Sequence, residues 1–254
     1  MKNFSSVILA LLMSILPTFS ADMRFIQVSD LAYPNAQFER MVKDINKQKN
    51  VEFVVFTGNN ISKANEENLK SFLKTAKGLN SPFYIVLGNK DVNKQKKLGK
   101  VEYLKVVSKL NRTHKNIESP SYVFEKNKVV FIVVDGSKDV IPDSVGYYRA
   151  QTLEWLDSEL EKYKDRNVVI LQHFPIIPPV IKDFKMTYKA DEYLNLLSKH
   201  KNVKAVISGD YGVNKEQEVN GILHVSTSNA PTYRIIDILD CDTKNPTFWS
   251  TIMH

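Results

Sequence analysis

The chain has 254 residues, 43% of them hydrophobic and 25% charged, with a formal net charge of +7. This composition excludes a disordered or fibrous chain and supplies enough apolar side chains for one sizeable core. The lysines alternate with acids in stretches such as "KDINKQK" and "LEKYKDR", and no basic run is interleaved with stacking aromatics, so a nucleic-acid interface has no support.

In chain order, residues 1–20 come first. Lys2 is their only charge, Val7 to Leu16 is apolar except for Ser14, and small residues follow Pro17. The segment reads as a secretory signal peptide, about half as long as the roughly 20 apolar residues of a membrane span. The expectation is an exported protein (periplasmic, cell-surface or secreted) with one domain over 21–254 and no transmembrane span after cleavage. Cys241 is the only cysteine, which rules out an internal disulfide and suggests an inert structural thiol.

Short runs rich in β-branched residues then alternate with helix-period segments. "RFIQV", "VEFVVF", "PFYIVL", "KVVFIVV", "NVVIL", "VKAVI" and "GILHVS" predict strands. Phe38, Met41, Val42 and Ile45 share one predicted helix face, Leu69, Phe72, Leu73 and Ala76 a second, and Leu153, Leu156 and Leu160 a third. The alternation argues for an α/β domain with a largely parallel core sheet. "SYVFEKNKVVFIVVD" predicts a hairpin turning at Lys126-Asn127, "EVNGILHVS" another, and the Pro-rich region from Pro175 to Thr187 a loop.

Most of these strands give way to polar residues, often beside glycine: Ser29-Asp30, Gly58-Asn59-Asn60, Gly88-Asn89-Lys90-Asp91, Asp135-Gly136, Gln172-His173 and Gly209-Asp210-Tyr211. The carboxyl ends of strands line the ligand crevice of open α/β sheets, and glycine lets the backbone approach closely there. Walker-type, Gly-x-Ser-x-Gly and dinucleotide fingerprints are absent from the sequence.

In this order, "SDLA", "TGNN", "LGNKD", "QHFP" and "SGDYG" resemble the five signature blocks of the calcineurin-like metallophosphoesterases. Those blocks read Asp-x-His, Gly-Asp, Gly-Asn-His-Asp, His and Gly-His-x-His. The likeness runs from Phe25 to about Ser226 and is greatest to short, single-domain bacterial members. It implies a four-layer α/β/β/α sandwich of two mixed sheets, with a two-metal centre at the strand ends. Two divalent ions in such a centre hold a hydroxide nucleophile and clamp phosphoryl oxygens.

Carried over residue by residue, the likeness implies an altered centre. Asp30, Asn89 and His173 keep ligand positions, and Asp91 keeps the acidic position beside the catalytic histidine. Ala32, Asn59, Asp210 and Gly212 replace ligands, Asn59 at the bridging aspartate, and Lys90 stands at the catalytic histidine itself. The expectation is loss of the metal pair and of catalysis, with no cofactor. The alternative is a remodelled hydrolase holding one Mn, Fe or Zn at Asn59, Asn89, His173 and Asp210.

The expected pocket comprises Asp30, Asn59, Asn60, Asn89, Lys90, Asp91, His173, Asp210 and Tyr211. Its partner is unnamed by the sequence, a small anionic or phosphorylated ligand or an envelope protein being the classes considered. Lys90 has two readings, an ammonium replacing lost metal charge by pairing with Asp30, Asp91 and Asp210, or a solvated surface lysine. His173 likewise reads as a ligand or as a hydrogen-bonded plug beneath the proline loop.

Overall fold

A computed structural model describes residues 21–141, 143–180 and 187–254. The expected signal segment and part of the Pro175–Thr187 loop lie outside the described residues. Eleven strands are described: β1 (Met23–Val28), β2 (Phe53–Thr57), β3 (Phe83–Val86), β4 (Tyr122–Lys126), β5 (Val129–Val133), β6 (Asn167–Leu171), β7 (Val203–Ser208), β8 (Lys215–Val219), β9 (Ile222–Ser226), β10 (Tyr233–Leu239) and β11 (Thr247–Met253). The α-helices among the described residues are α1 (Phe38–Ile45), α2 (Glu66–Ala76), α3 (Lys100–Leu110), α4 (Ala150–Lys162) and α5 (Ala190–Ser198). None is long and apolar enough to cross a membrane.

The strands form the two mixed sheets that the family resemblance implies. One has the order β11-β10-β1-β2-β3, the other β4-β5-β6-β7-β9-β8. Each has a parallel centre, β1-β2-β3 and β5-β6-β7-β9, and antiparallel strands at one or both edges. The first hairpin turns one residue later than expected, at Asn127 and Lys128, whose φ angles are 42° and 67°. Asn220 and Gly221 turn the second at 54° and 74°, positive values that match the right-handed twist of paired strands.

Helix faces obey the sequence spacing. Phe38, Met41, Val42 and Ile45 are the buried residues of α1, and Leu69, Phe72, Leu73 and Ala76 those of α2. The Asn65 side chain caps α2 by accepting from the Asn68 N–H at 2.8 Å, and Glu66 and Glu67 place negative charge in its first turn. In α4, Leu156 and Leu160 are buried and Leu153 is partly so.

Alternation along the strands builds the layers. One core joins α1, α2 and α3 to the outer face of the first sheet. A second lies between the sheets, and a third joins α4 and α5 to the outer face of the second sheet. Phe53 sits in the middle core, its ring 4.9 Å from Phe25, 4.9 Å from Phe131 and 5.3 Å from Phe124, stacked or edge-on. Cys241 is buried and unpaired, and burial pushes its thiol up to about 11, as suits an inert thiol.

Phe53→Ala is expected to cost about 3–5 kcal/mol in urea unfolding, whereas Trp249→Ala, at a side chain 65% exposed, should stay within about 0.5 kcal/mol. Burial holds the imidazoles of His114 and His224 down at about 4. The unfolded chain therefore takes up protons on both from pH 6.5 downward while the fold refuses them. Stability should fall between pH 6.5 and 4, by up to about 2 kcal/mol for each group at pH 5. Replacing either histidine by glutamine should flatten the melting-temperature profile over that window.

Candidate metal centre

The two sheets bring their strand ends together at Asp30, His173 and Asp210. One ligand atom from each lies within 4.8 Å of the others. Asp30 lies just beyond β1, His173 beyond β6 and Asp210 beyond β7, so the cluster draws on both sheets. His173 is fully buried, and its Nδ1 donates to the Thr57 carbonyl at 2.7 Å. That bond makes Nδ1 a donor, and in the neutral ring Nε2 is then the lone-pair atom. Nε2 has no hydrogen bond and faces Asp210 Oδ1 at 3.6 Å. In the neutral ring two lone-pair atoms face each other there, an arrangement that a cation between them would resolve.

The Asp30 carboxylate joins the sheets. It accepts from Ser29 Oγ at 2.6 Å, from the Asp210 backbone N–H at 2.9 Å and from Asn59 Nδ2 at 3.0 Å. A carboxylate has about four acceptor sites, so at least one lone pair stays available. Asn89, one residue beyond the Gly88 close approach, has a buried Oδ1 with no hydrogen-bond partner. The residues present therefore fit one cation through Asp30, His173 and Asp210, with the unpartnered Asn89 Oδ1 as the candidate for a fourth ligand.

They do not fit two. Asn59 Oδ1 accepts from the Lys90 backbone N–H at 2.9 Å, which turns its amide NH2 toward Asp30. Both ends of Asn59 are thus bonded to protein, so in the four-residue set expected from sequence its place belongs to Asp30. Ala32 and Gly212 carry no ligand atom.

Asn60 and Asp91 form a separate network behind this cluster. Asp91 accepts from the Gly88 N–H at 2.8 Å, the Ile61 N–H at 3.0 Å and Asn60 Nδ2 at 3.0 Å. Burial raises its carboxyl to about 6, against those hydrogen bonds. Of the two readings of Lys90, pairing with Asp30, Asp91 and Asp210 is corrected in favour of a solvated lysine. The Lys90 side chain is exposed and forms no ion pair among the described residues, because its backbone turns it outward while its N–H holds Asn59. Tyr211 is buried beside Asp210, its hydroxyl pushed up to about 12, chiefly by burial. Asp135 joins a different group, paired with Lys100 at 2.5 Å.

Two glycines permit the close approach. A Cβ on Gly88 would lie 2.3 Å from the Asn59 nitrogen, and one on Gly209 would lie 1.8 Å from Ser29 Oγ. Asp30, Ala32, Asn59 and Asp210 all have left-handed backbones, with φ from 50° to 66°. Asp and Asn tolerate that region, and Ala32 is the strained exception. The Thr57 carbonyl, which sets the His173 tautomer, is invisible in the sequence because a backbone acceptor has no residue signature.

Comparison with known proteins gives a consistent picture. The family model for calcineurin-like phosphoesterases matches residues 23–213. A protein from Arcobacter nitrofigilis named "Probable glycerophosphodiester phosphodiesterase GpdQ" is 25% identical over 198 residues, covering 76% of this chain and 68% of its own. A dimetal phosphatase from Danio rerio superposes with TM-score 0.67 at 14% identity, covering 90% of this chain and 99% of its own. GAP50, titled the anchor in the inner membrane complex of Plasmodium, superposes with TM-score 0.62 at 17% identity, covering 91% and 88%. The expectation of no cofactor is therefore corrected: the Asp30–His173–Asp210 cluster is a candidate metal site, in a family of metal-dependent phosphoesterases.

Gly88→Ala should drive Asn59 and His173 apart, lowering stability by about 1–3 kcal/mol in thermal melts. It should also abolish any rise in melting temperature that Mn produces in the parent protein.

Proposed function

Because the chain belongs to the calcineurin-like phosphoesterases, we propose that it binds one divalent cation and a small phosphate-bearing anion at the strand-end site, and lacks two-metal hydrolysis. The observation that carries this reading is the orientation of Asn59. Where the family pattern places a carboxylate bridging two cations, this chain presents an amide NH2 donor to Asp30. A donor repels a second cation, and a neutral amide supplies no charge to hold one.

The one-ion set is Asp30, Asn89, His173 and Asp210. When bound, a Mn, Fe or Zn ion supplies Lewis acidity toward a phosphoryl oxygen. The chain's own residues do the rest. Thr57 fixes the His173 ring, Ser29 and Asn59 fix the Asp30 carboxylate, and Lys90 offers an exposed ammonium for an incoming anion. An ammonium has three donors and no acceptor, so Lys90 can neutralise phosphate charge but cannot accept a proton as an imidazole would.

The GpdQ-named relative favours a phosphodiester as the ligand class, and the Plasmodium anchor supports a binding role for the fold. Export, read from residues 1–20, is part of the same proposal. A second reading, hydrolysis by a single-metal centre, draws on the buried, unbonded Asn89 Oδ1 and His173 Nε2.

Elemental mass spectrometry of the dialysed protein should find one Mn, Fe or Zn per chain, lost in Asp210→Ala and His173→Ala variants that still fold. Bis-p-nitrophenyl phosphate and glycerophosphodiesters should show no turnover above background with that ion bound. Two tight ions per chain would overturn the proposal. Turnover that disappears with Asp210→Ala would replace it with the single-metal hydrolase.

A further inference from the structure

A second cavity, of about 460 Å3, shares no lining residue with the metal cluster. Its size falls within the range of small-molecule sites. Four chain segments line it: the start of α3 at Lys100, the approach to β4 at Ser119–Ser121, the turn after β5 at Asp135, and the "YYR" and first turns of α4 from Tyr147 to Trp155. Tyr148 Oη donates to the Phe174 carbonyl at 2.8 Å, so the α4 segment is fastened beside His173.

Charge balance sets the chemistry. The Asp135 carboxylate is 4% exposed and accepts from Lys100 Nζ at 2.5 Å, Ser137 Oγ at 2.7 Å and the Ser137 N–H at 3.0 Å. Lys100 gives a second proton to the Ser137 carbonyl at 2.8 Å, which leaves one of its three N–H groups. Asp135 and Lys100 neutralise each other. Arg149, on the same wall, is exposed and makes no ion pair among the described residues. The cavity thus carries one net positive charge on a planar, five-donor fork suited to phosphate or carboxylate.

Two aromatic side chains complete the wall. Trp155 is half-buried against the α4 core. Tyr147 is braced by the Tyr188 ring at 5.6 Å and by Lys138 Nζ at 5.4 Å. Braced aromatic surfaces beside a free guanidinium match a ligand with both a charge and a flat body. We propose that the cavity bounded by Lys100, Arg149, Tyr147 and Trp155 is a binding site for a small organic anion bearing a planar ring, of about the size of a nucleoside monophosphate. The site is independent of the metal cluster.

The chain has two tryptophans, so Trp249→Phe leaves Trp155 as the only indole reporter. Its fluorescence is titrated with adenosine 5′-monophosphate, adenosine and inorganic phosphate after chelator treatment. Saturable binding of the nucleotide, about tenfold tighter than either fragment, is expected. Arg149→Ala should weaken it about tenfold and Arg149→Lys less, both with unchanged melting temperature, while Asp210→Ala should leave it intact. Absence of saturation overturns the proposal, as does binding that survives Arg149→Ala but fails in Asp210→Ala, which would place the nucleotide at the metal cluster. Phosphate binding as tightly as the nucleotide would overturn recognition of the ring.

Discussion

The Asp30 carboxylate is the joint on which the strand-end architecture depends. It receives the Asp210 backbone from the second sheet and the Asn59 amide from the first, so one side chain sets the register of the two sheets where the site forms. Beneath it Gln27 repeats the connection. Its Nε2 donates to Thr57 Oγ1 at 3.0 Å and to the Ser208 carbonyl at 2.8 Å, and its Oε1 accepts from Thr227 Oγ1 at 2.6 Å. Gln27 is fully buried, and every polar atom of its side chain is bonded. Elsewhere the interface between the sheets is mostly phenylalanine and aliphatic carbon, which is non-directional, with Tyr84, Tyr122 and Cys241 among them. These polar connections give it a defined offset.

That offset decides what the site can hold. His173 reaches across to the Thr57 carbonyl only because the end of β6 lies against the end of β2. The close contacts at Gly88 and Gly209 arise from the same approach. The left-handed residues at Asp30, Asn59 and Asp210 turn the chain sharply off each strand, which aims short side chains back over the sheet ends. Left-handed turns at strand ends, with regular strands behind them, are how a rigid scaffold presents functional groups.

Much of this was legible in the sequence, to an extent set by the physics of each element. The α1 and α2 faces were readable because burial repeats with the helical period, and the parallel strands because both faces are buried and the runs are uninterrupted. β10 and β11 escaped for opposite reasons. β10 carries Arg234, a buried charge held by Thr227, Glu216 and the Ser226 carbonyl, which breaks an apolar pattern. β11 is an edge strand with Trp249 and Thr251 facing solvent, so it has no buried signature. β1 pairs with β10 more than 200 residues away, beyond any local pattern. The strand-end residues were visible as types, but neither the direction of the Asn59 amide nor that of the Lys90 side chain is written in a residue name. Both are fixed by one bond, from the Lys90 N–H to Asn59 Oδ1.

Charge counting then separates one ion from two. Asp30 and Asp210 supply two negative charges at the cluster, and Asp91 is committed to a network of its own. A single dication would meet both of these carboxylates. A second would face only the Asn59 and Asn89 amides and an imidazole in a buried setting, where an uncompensated charge costs several kcal/mol. A carboxylate at position 59 would change both sides of the balance at once, adding a negative charge and removing the NH2 donor from Asp30. On the proposed one-ion reading the chemistry of the centre turns on one nitrogen, because replacing an oxygen acceptor by an amide donor fills with hydrogen the space that a second cation would need.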